Sequence, residues 1–416
     1  SYAPEGEELS SLMVETSQTH RAELEHVPSA ADFADAISDD PASAGLLSES
    51  EVESLLRGHA AMETVSKEQA QSDVSLLFRT LQSAYGAYEY FGQEKFDAAE
   101  DAVTQWLSSQ DDGIKVSALG EKLQESLAFM LTYDAHAMIY ETAAEEIEAQ
   151  VRYEYFFADG FYFSKDVNGS YYMVNDGERW TLSSFSDEHV SVQPTLLQDG
   201  RIVYQPTLFA LRKDAVQSSV TLKNSSGKAK IYRLDWTESQ PLDVDLGTLD
   251  YRLIQEDGLT YVSLRSFVSS TYDNMLARYA REGAKAHGSK AVIYDLRGNV
   301  GGSDSWPRKW IQSFLGTQNS IETSMLYAQK NSALFAAENS ESLLPEDEGT
   351  CFAREVHGTW YENDIPIIVL VDDHCGSSGE GAVKLLKTLD NVLIVGSNTA
   401  GYQLCGNIST FTLPYT

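Results

Sequence analysis

The sequence predicts an α/β protein, with an α/β domain over residues 251–416 preceded by an all-helical unit and a β-rich module. Three observations predict it. Apolar residues recur at helical spacing after Ser66, the period drops to two after Tyr153, and strand and helix patterns alternate from Tyr251 onward. A chain of 416 residues also exceeds one ordinary core, so two or three domains are expected.

Taken in order, residues 1–62 are acidic and rich in Ser and Ala, with a weak helical signal; the run DDPASAG at 39–45 reads as linker. The helical unit spans 66–150. It opens on a capping box, Ser66-Lys67-Glu68-Gln69, and Val74, Leu77, Phe78 and Leu81 follow on one helical face. Further helical patterns cover 96–107 and 118–131. The β-rich module spans 153–248, where segments such as 160–163, 170–174 and 229–234 are separated by Asn-Gly, Asp-Gly and Ser-Gly turns. From Tyr251 the expected order is strand 260–264, helix 272–286, strand 291–296, a helix after Trp306, strand 365–371, helix 381–389 and strand 392–395. Such alternation means a largely parallel sheet with helices packed on it.

Composition narrows the function classes. Acidic residues number 63 against 30 basic, a formal charge of −33, which argues against nucleic acid or an anionic membrane as partner. Hydrophobic content of 42% is ample for globular cores, and no apolar run is long enough to span a bilayer. The polar, acidic start is what removal of an export signal leaves, so the protein is expected outside the cell or in the cell envelope. Three cysteines, Cys351, Cys375 and Cys405, are too few and too scattered for a disulfide framework or a zinc site. Free buried thiols are the default, and Cys375 with Cys405 is the pair able to bridge.

Two late segments carry the chemistry. The first, 290–302, is an apolar run closing on Asp-Leu-Arg-Gly-Asn-Val-Gly-Gly; the second, 365–401, has an apolar stretch ending on Cys375-Gly376-Ser377-Ser378-Gly379-Glu380, where a helix pattern begins. A serine-bearing turn between a buried strand and a helix sets a hydroxyl over the helix's positive end, where bare backbone amides can hold an oxyanion. The glycine pair after the other strand offers a second amide. Serine at a helix start is ordinarily an N-cap, and paired glycines ordinarily permit a tight turn.

These motifs, in this order, resemble the catalytic domain of the tail-specific (C-terminal processing) and tricorn-core serine peptidases. The match runs over roughly 259–414 and includes the Tyr261-Val262-Ser263-Leu264 strand and the turn at 395–401 (VGSNTAG). The resemblance implies a ClpP/crotonase-like fold, with Ser377 as nucleophile. It implies Ser378 and either Gly301 or Gly302 as oxyanion-hole amides, and Asp295 and Arg297 as supports of their turn. Glu380 would orient a partner or complement the helix N-terminus. The β module stands where processing proteases carry a PDZ domain. The implied substrate is a peptide or protein, and no metal or organic cofactor is implied.

The general base departs from the family pattern. The processing branch places a lysine just after the Thr-x-Gly turn, where this chain has Tyr402. The tricorn branch places a histidine on the strand before the Asp-Leu-Arg turn, where it has Ser263. His136 is the replacement we expect, because Tyr133-Asp134-Ala135-His136 resembles the Asp-x-His that closes the family's N-terminal helices. His374, three residues before Ser377, and His357 are weaker candidates. Lys384 and Lys387 are expected to face solvent, and the phenol of Tyr402 is a poor base at neutral pH. In the tricorn branch an acidic residue completing the charge arrangement lies beyond the position of Thr416, and 411–416 reads as a strand and its exit.

The reading is therefore a serine endopeptidase acting through a Ser377 acyl-enzyme. Two rivals remain: an inactive relative that kept the fold and binds peptide, and an acyl-thioester enzyme of the crotonase type.

Overall fold

A computed structural model describes residues 5–60, 62–140, 153–211, 217–238, 251–268 and 273–416. The chain forms two compact units, each discontinuous in sequence. The first comprises residues 1–24, 152–322 and 359–400; the second comprises 25–151, 323–358 and 401–416.

The first unit is built on a five-stranded sheet of β1 (Tyr251–Glu256), β2 (Leu259–Leu264), β3 (Ala291–Asp295), β4 (Ile367–Val371) and β5 (Val392–Gly396), lying side by side in that order. Strands β1 and β2 form an antiparallel hairpin whose Asp257-Gly258 turn has positive φ at both residues, as a tight two-residue hairpin requires. The remaining pairs are parallel. Helices α1 (Asp273–Ala286), α2 (Ser305–Leu315) and α3 (Ser378–Leu386) supply the crossovers. Alternate residues of β4, Ile367, Val369 and Val371, enter a core shared with Tyr279, Tyr294, Trp310 and Leu385.

The opposite face of the sheet shows what the sequence reading missed. Helix Leu9–Glu25 sets Leu12 and Met13 against Ile368 of β4 and Leu393 and Val395 of β5. Ser17 accepts the Asn391 amide at 2.9 Å, and Glu23 pairs with Lys387. The start of the chain therefore covers sheet surface.

The described residues between Tyr153 and Glu238 form two antiparallel sheets of five and four strands and no helix. Trp180, 1% exposed, is packed with Met173, Val220 and Leu222 of one sheet and Ala158 and Tyr204 of the other. The expected module boundary at 248 falls outside the described residues.

The second unit is mainly helical. Its longer helices, Lys67–Ala84 and Gln93–Ser109, bury Val74, Phe78, Phe96, Val103 and Leu107 with Leu119. The Ser66 capping box forms as the sequence indicates, its hydroxyl accepting the Gln69 amide at 3.2 Å. Two expectations are corrected here. Residues 39–45 are not a linker: Asp40 donates its amide to the Gly349 carbonyl at 2.8 Å, and Asp39 accepts that of Cys351 at 2.7 Å. Nor is there a strand at 411–416. Phe411 and Leu413 pack on the helical core, and Thr412 donates to the Leu55 carbonyl at 2.9 Å. A hairpin of Met325–Lys330 and Cys351–Val356 completes this unit.

Candidate active site

Strands β3 and β4 run parallel with Asp295 opposite Leu370, so the turns leaving their C-terminal ends emerge side by side. That edge of a parallel sheet is where ligands ordinarily bind. The two turns are the two segments singled out in the sequence.

The first turn is braced from beneath. Asp295 is fully buried and accepts bonds from the Arg297 amide (3.0 Å), its Nε (2.9 Å) and Nη2 (2.7 Å), and from the Tyr261 hydroxyl (2.7 Å). Burial pushes its carboxyl up, but the bonds from Arg297 and Tyr261 outweigh it and hold the group below the usual carboxylate range. Asp295 and Arg297 thus have each other as partners, in keeping with a supporting role.

Asn299, which sequence reasoning passed over, ties three elements. Its Nδ2 donates to the Leu264 carbonyl ending β2 (2.8 Å), and its carbonyl accepts the Gly376 amide of the nucleophile turn (2.9 Å). Its Oδ1 accepts the Gly301 amide at 2.9 Å. This last bond corrects an expectation: the Gly301 amide is already committed and is not an oxyanion donor. The signal lay in the Asp-Leu-Arg-Gly-Asn run itself, since an asparagine among turn residues commonly bonds backbone.

Gly302 fits the donor role better. The Phe267 amide donates to the Gly301 carbonyl (2.7 Å) and Ser303 donates to the Phe267 carbonyl (3.0 Å), which leaves the Gly302 amide outside that ladder. The Gly302 carbonyl accepts the Ser378 hydroxyl at 2.9 Å. Gly301 and Gly302 have φ of 101° and 136°. A Cβ on Gly301 would lie 2.7 Å from Cβ of Ser377 and 2.9 Å from the Ser378 nitrogen; on Gly302 it would lie 2.1 Å from the Phe267 carbonyl carbon. Only glycine fits at either position.

Ser377 itself sits at φ 53°, ψ −121°. Ser377 closes a capping box with Glu380, yet the other N-cap serines are extended: Ser48 at −73°, 158°, Ser66 at −69°, 157°, and Ser332 at −135°, 151°. A non-glycine residue at positive φ costs about 1–3 kcal/mol and recurs where a strand-to-helix turn must present a hydroxyl. Ser378 begins α3, so its amide is among those that a helix leaves without an internal acceptor. Glu380, 5% exposed, holds the turn: Oε2 accepts the Ser377 amide (3.1 Å) and Oε1 the Thr399 hydroxyl (2.6 Å). Ala400 donates to the Cys375 carbonyl at 2.9 Å, strapping the Thr399 turn to the serine turn.

The basic candidates separate by place. His374 is exposed and pairs with Asp373 at 2.9 Å; Lys384 is exposed, as expected, while Lys387 is half-buried in its pair with Glu23. Ser263 is buried on β2, opposite Asp295. His357 is exposed in the second unit. In that unit His136 is half-buried, its ring 4.7 Å from that of Tyr402. Among the described residues, Asp372, Asp373 and His374 form the one cluster of metal-ligand type. Asp372 Oδ1 already accepts the Gly298 (2.9 Å) and His374 (3.2 Å) amides, which is turn chemistry. All three cysteines are free, so the Cys375–Cys405 bridge is absent. Burial holds the Cys375 thiol well above its usual range, which makes it a poor nucleophile.

Comparison with known proteins agrees with the motifs. Residues 258–412 match peptidase family S41. Among solved structures, mature CPAF is similar at 13% identity and TM-score 0.39, covering 81% of this chain and 84% of that one. A candidate peptidase from Parabacteroides merdae ATCC 43184 is 14% identical over 81% and 76%, with TM-score 0.34. A lipoprotein from Streptococcus agalactiae is 12% identical over 83% and 80%, with TM-score 0.30. No curated protein matches the sequence. Through residues 258–412 the chain is similar to peptidase family S41, the tail-specific protease family.

Proposed function

We propose that this protein is an exported serine endopeptidase that cleaves peptide bonds through an acyl-enzyme on Ser377. The S41 match over residues 258–412 supports a serine-type peptidase in general terms, with peptides or proteins as substrates. The observation that carries the finer reading is the Ser377 backbone at φ 53°, ψ −121°, between the buried end of β4 and the start of α3.

In this reading Ser377 Oγ attacks the substrate carbonyl carbon and its proton passes to a general base, for which His136 is our candidate. The tetrahedral oxyanion is held by the amides of Ser378 and Gly302. The C–N bond then breaks, the base returns the proton to the leaving amine, and water hydrolyses the Ser377 ester to a carboxylate. Asp295, Arg297, Asn299 and Glu380 act on the two turns and touch no reacting atom. Tyr402 flanks the His136 ring.

The test is digestion of an unfolded protein substrate, with fragments identified by mass spectrometry, for the wild type, Ser377→Ala and His136→Ala. Internal fragments from the wild type alone support the reading. Equal cleavage by Ser377→Ala contradicts it, and a folded wild type that binds the substrate without cutting it favours the inactive binding relative.

A further inference from the structure

His136 is held at three points within the second unit. Its amide donates to Asp134 Oδ1 (3.1 Å), its Nδ1 lies 2.5 Å from the Cys405 carbonyl oxygen, and its ring rests against Tyr402. A carbonyl oxygen only accepts, so the Nδ1 contact requires the proton on Nδ1. A neutral imidazole carries one ring proton, which leaves Nε2 as the bare lone pair. The orientation of one backbone carbonyl therefore decides which nitrogen of His136 can take a proton.

That carbonyl is anchored through its own residue. Tyr85, ending its helix, donates its hydroxyl to Asp134 Oδ2 at 2.8 Å, and the Cys405 thiol lies beside both. Asp134 is 1% exposed. Burial, reinforced by the Asp134 charge, keeps the Cys405 thiol far above its usual range, so it remains S–H and packs as a neutral group beside that carboxylate. One buried carboxylate thus holds the His136 backbone with one oxygen and the Tyr85 hydroxyl, beside Cys405, with the other.

We propose that Tyr85, Asp134 and Cys405 form a positioning cluster that fixes the Cys405 carbonyl against His136 Nδ1 and so presents Nε2 as the proton acceptor. The inference rests on the reading of His136 as general base. In a Ser-His-Asp triad a carboxylate orients the imidazole and also stabilises the imidazolium. A neutral carbonyl supplies the orientation without the full counter-charge. Asp134, Tyr85 and Cys405 are positioning residues here, since each acts through His136.

The test reads the tautomer directly. The full chain is labelled with ring-¹⁵N histidine, and multiple-bond ¹H–¹⁵N spectra report which nitrogen carries the proton; His136 is assigned by its loss in His136→Gln. The expected result is Nδ1–H in the wild type and in Cys405→Ser, which keeps a donor. In Asp134→Ala the proton moves to Nε2 or divides between the two, and kcat falls about 10²-fold with KM little changed. If Asp134→Ala does not fold, Cys405→Val removes the same anchor. A wild-type His136 protonated on Nε2 overturns the positioning inference, whatever His136→Gln does to activity. Undiminished cleavage by His136→Gln overturns the base assignment instead, and with it the catalytic meaning of the cluster, whatever the tautomer.

Discussion

Two helices in this chain begin on sequences that read alike. Ser66-Lys67-Glu68-Gln69 and Ser377-Ser378-Gly379-Glu380 both fit the capping-box pattern. At Ser66 the backbone is extended and the box closes reciprocally, the Ser66 amide donating to Gln69 Oε1 at 2.9 Å. At Ser377 the box also closes, but the backbone turns to positive φ, and Glu380 takes the Ser377 amide with one oxygen and the Thr399 hydroxyl with the other. The first serine stabilises a helix. The second is held at a conformational cost by neighbours that leave room for nothing larger than glycine. Capping chemistry is local and repeats throughout the chain; what distinguishes Ser377 is contributed by β3, its glycines and Asn299.

The comparison can be broken by substitution, beginning with the largest effect. Ser377→Ala should lower kcat by on the order of 10⁵-fold or more, at a stability cost no greater than the roughly 1 kcal/mol of a lost cap. A variant that keeps activity and loses stability would make Ser377 a cap and nothing more.

Next comes the brace under the turn. Asp295→Asn should cost about 3 kcal/mol at neutral pH, since it leaves Arg297 without its buried partner. The folded pKa of Asp295 lies below its unfolded value near 4. Its contribution is therefore fully present above that pH and is lost as pH falls through the folded value. Chemical unfolding at a series of pH values should show wild type and variant converging below about pH 4. A constant gap across that range would contradict the ionised strut.

Gly301→Ala drives a methyl into Ser377 and the Ser378 amide, so kcat should fall about 10²–10³-fold, comparable to losing one oxyanion donor. An active Gly301→Ala enzyme would remove the two turns from a common site. The smallest effect belongs to the ordinary cap. Ser66→Ala should cost about 1 kcal/mol in stability and leave kcat unchanged.

Much of this was legible in the sequence because it is local or periodic. The β/α alternation after Tyr251 gave the parallel sheet, and the glycine pair and serine turn gave the site's two halves. What the sequence hid depends on contacts distant along the chain. Leu12 and Met13 offer a short apolar patch in an acidic segment, and Ile368, Leu393 and Val395 of the sheet explain them. Phe411 and Leu413 alternate like a strand, yet they pack on helices. The Gly301 amide looked available until Asn299 Oδ1 claimed it. The Cys405 carbonyl that meets the His136 ring lies 269 positions away, which no local pattern encodes.

The most direct measurement is labelling of the folded protein with a fluorophosphonate serine probe, mapped by mass spectrometry. The account predicts a stoichiometric adduct on Ser377 and none on Ser48, Ser66 or Ser332. Its rate should fall in Gly301→Ala, and the adduct should vanish in Ser377→Ala. A folded wild type that takes no probe at Ser377, or labels it no faster than Ser66, would contradict an activated nucleophile at this turn.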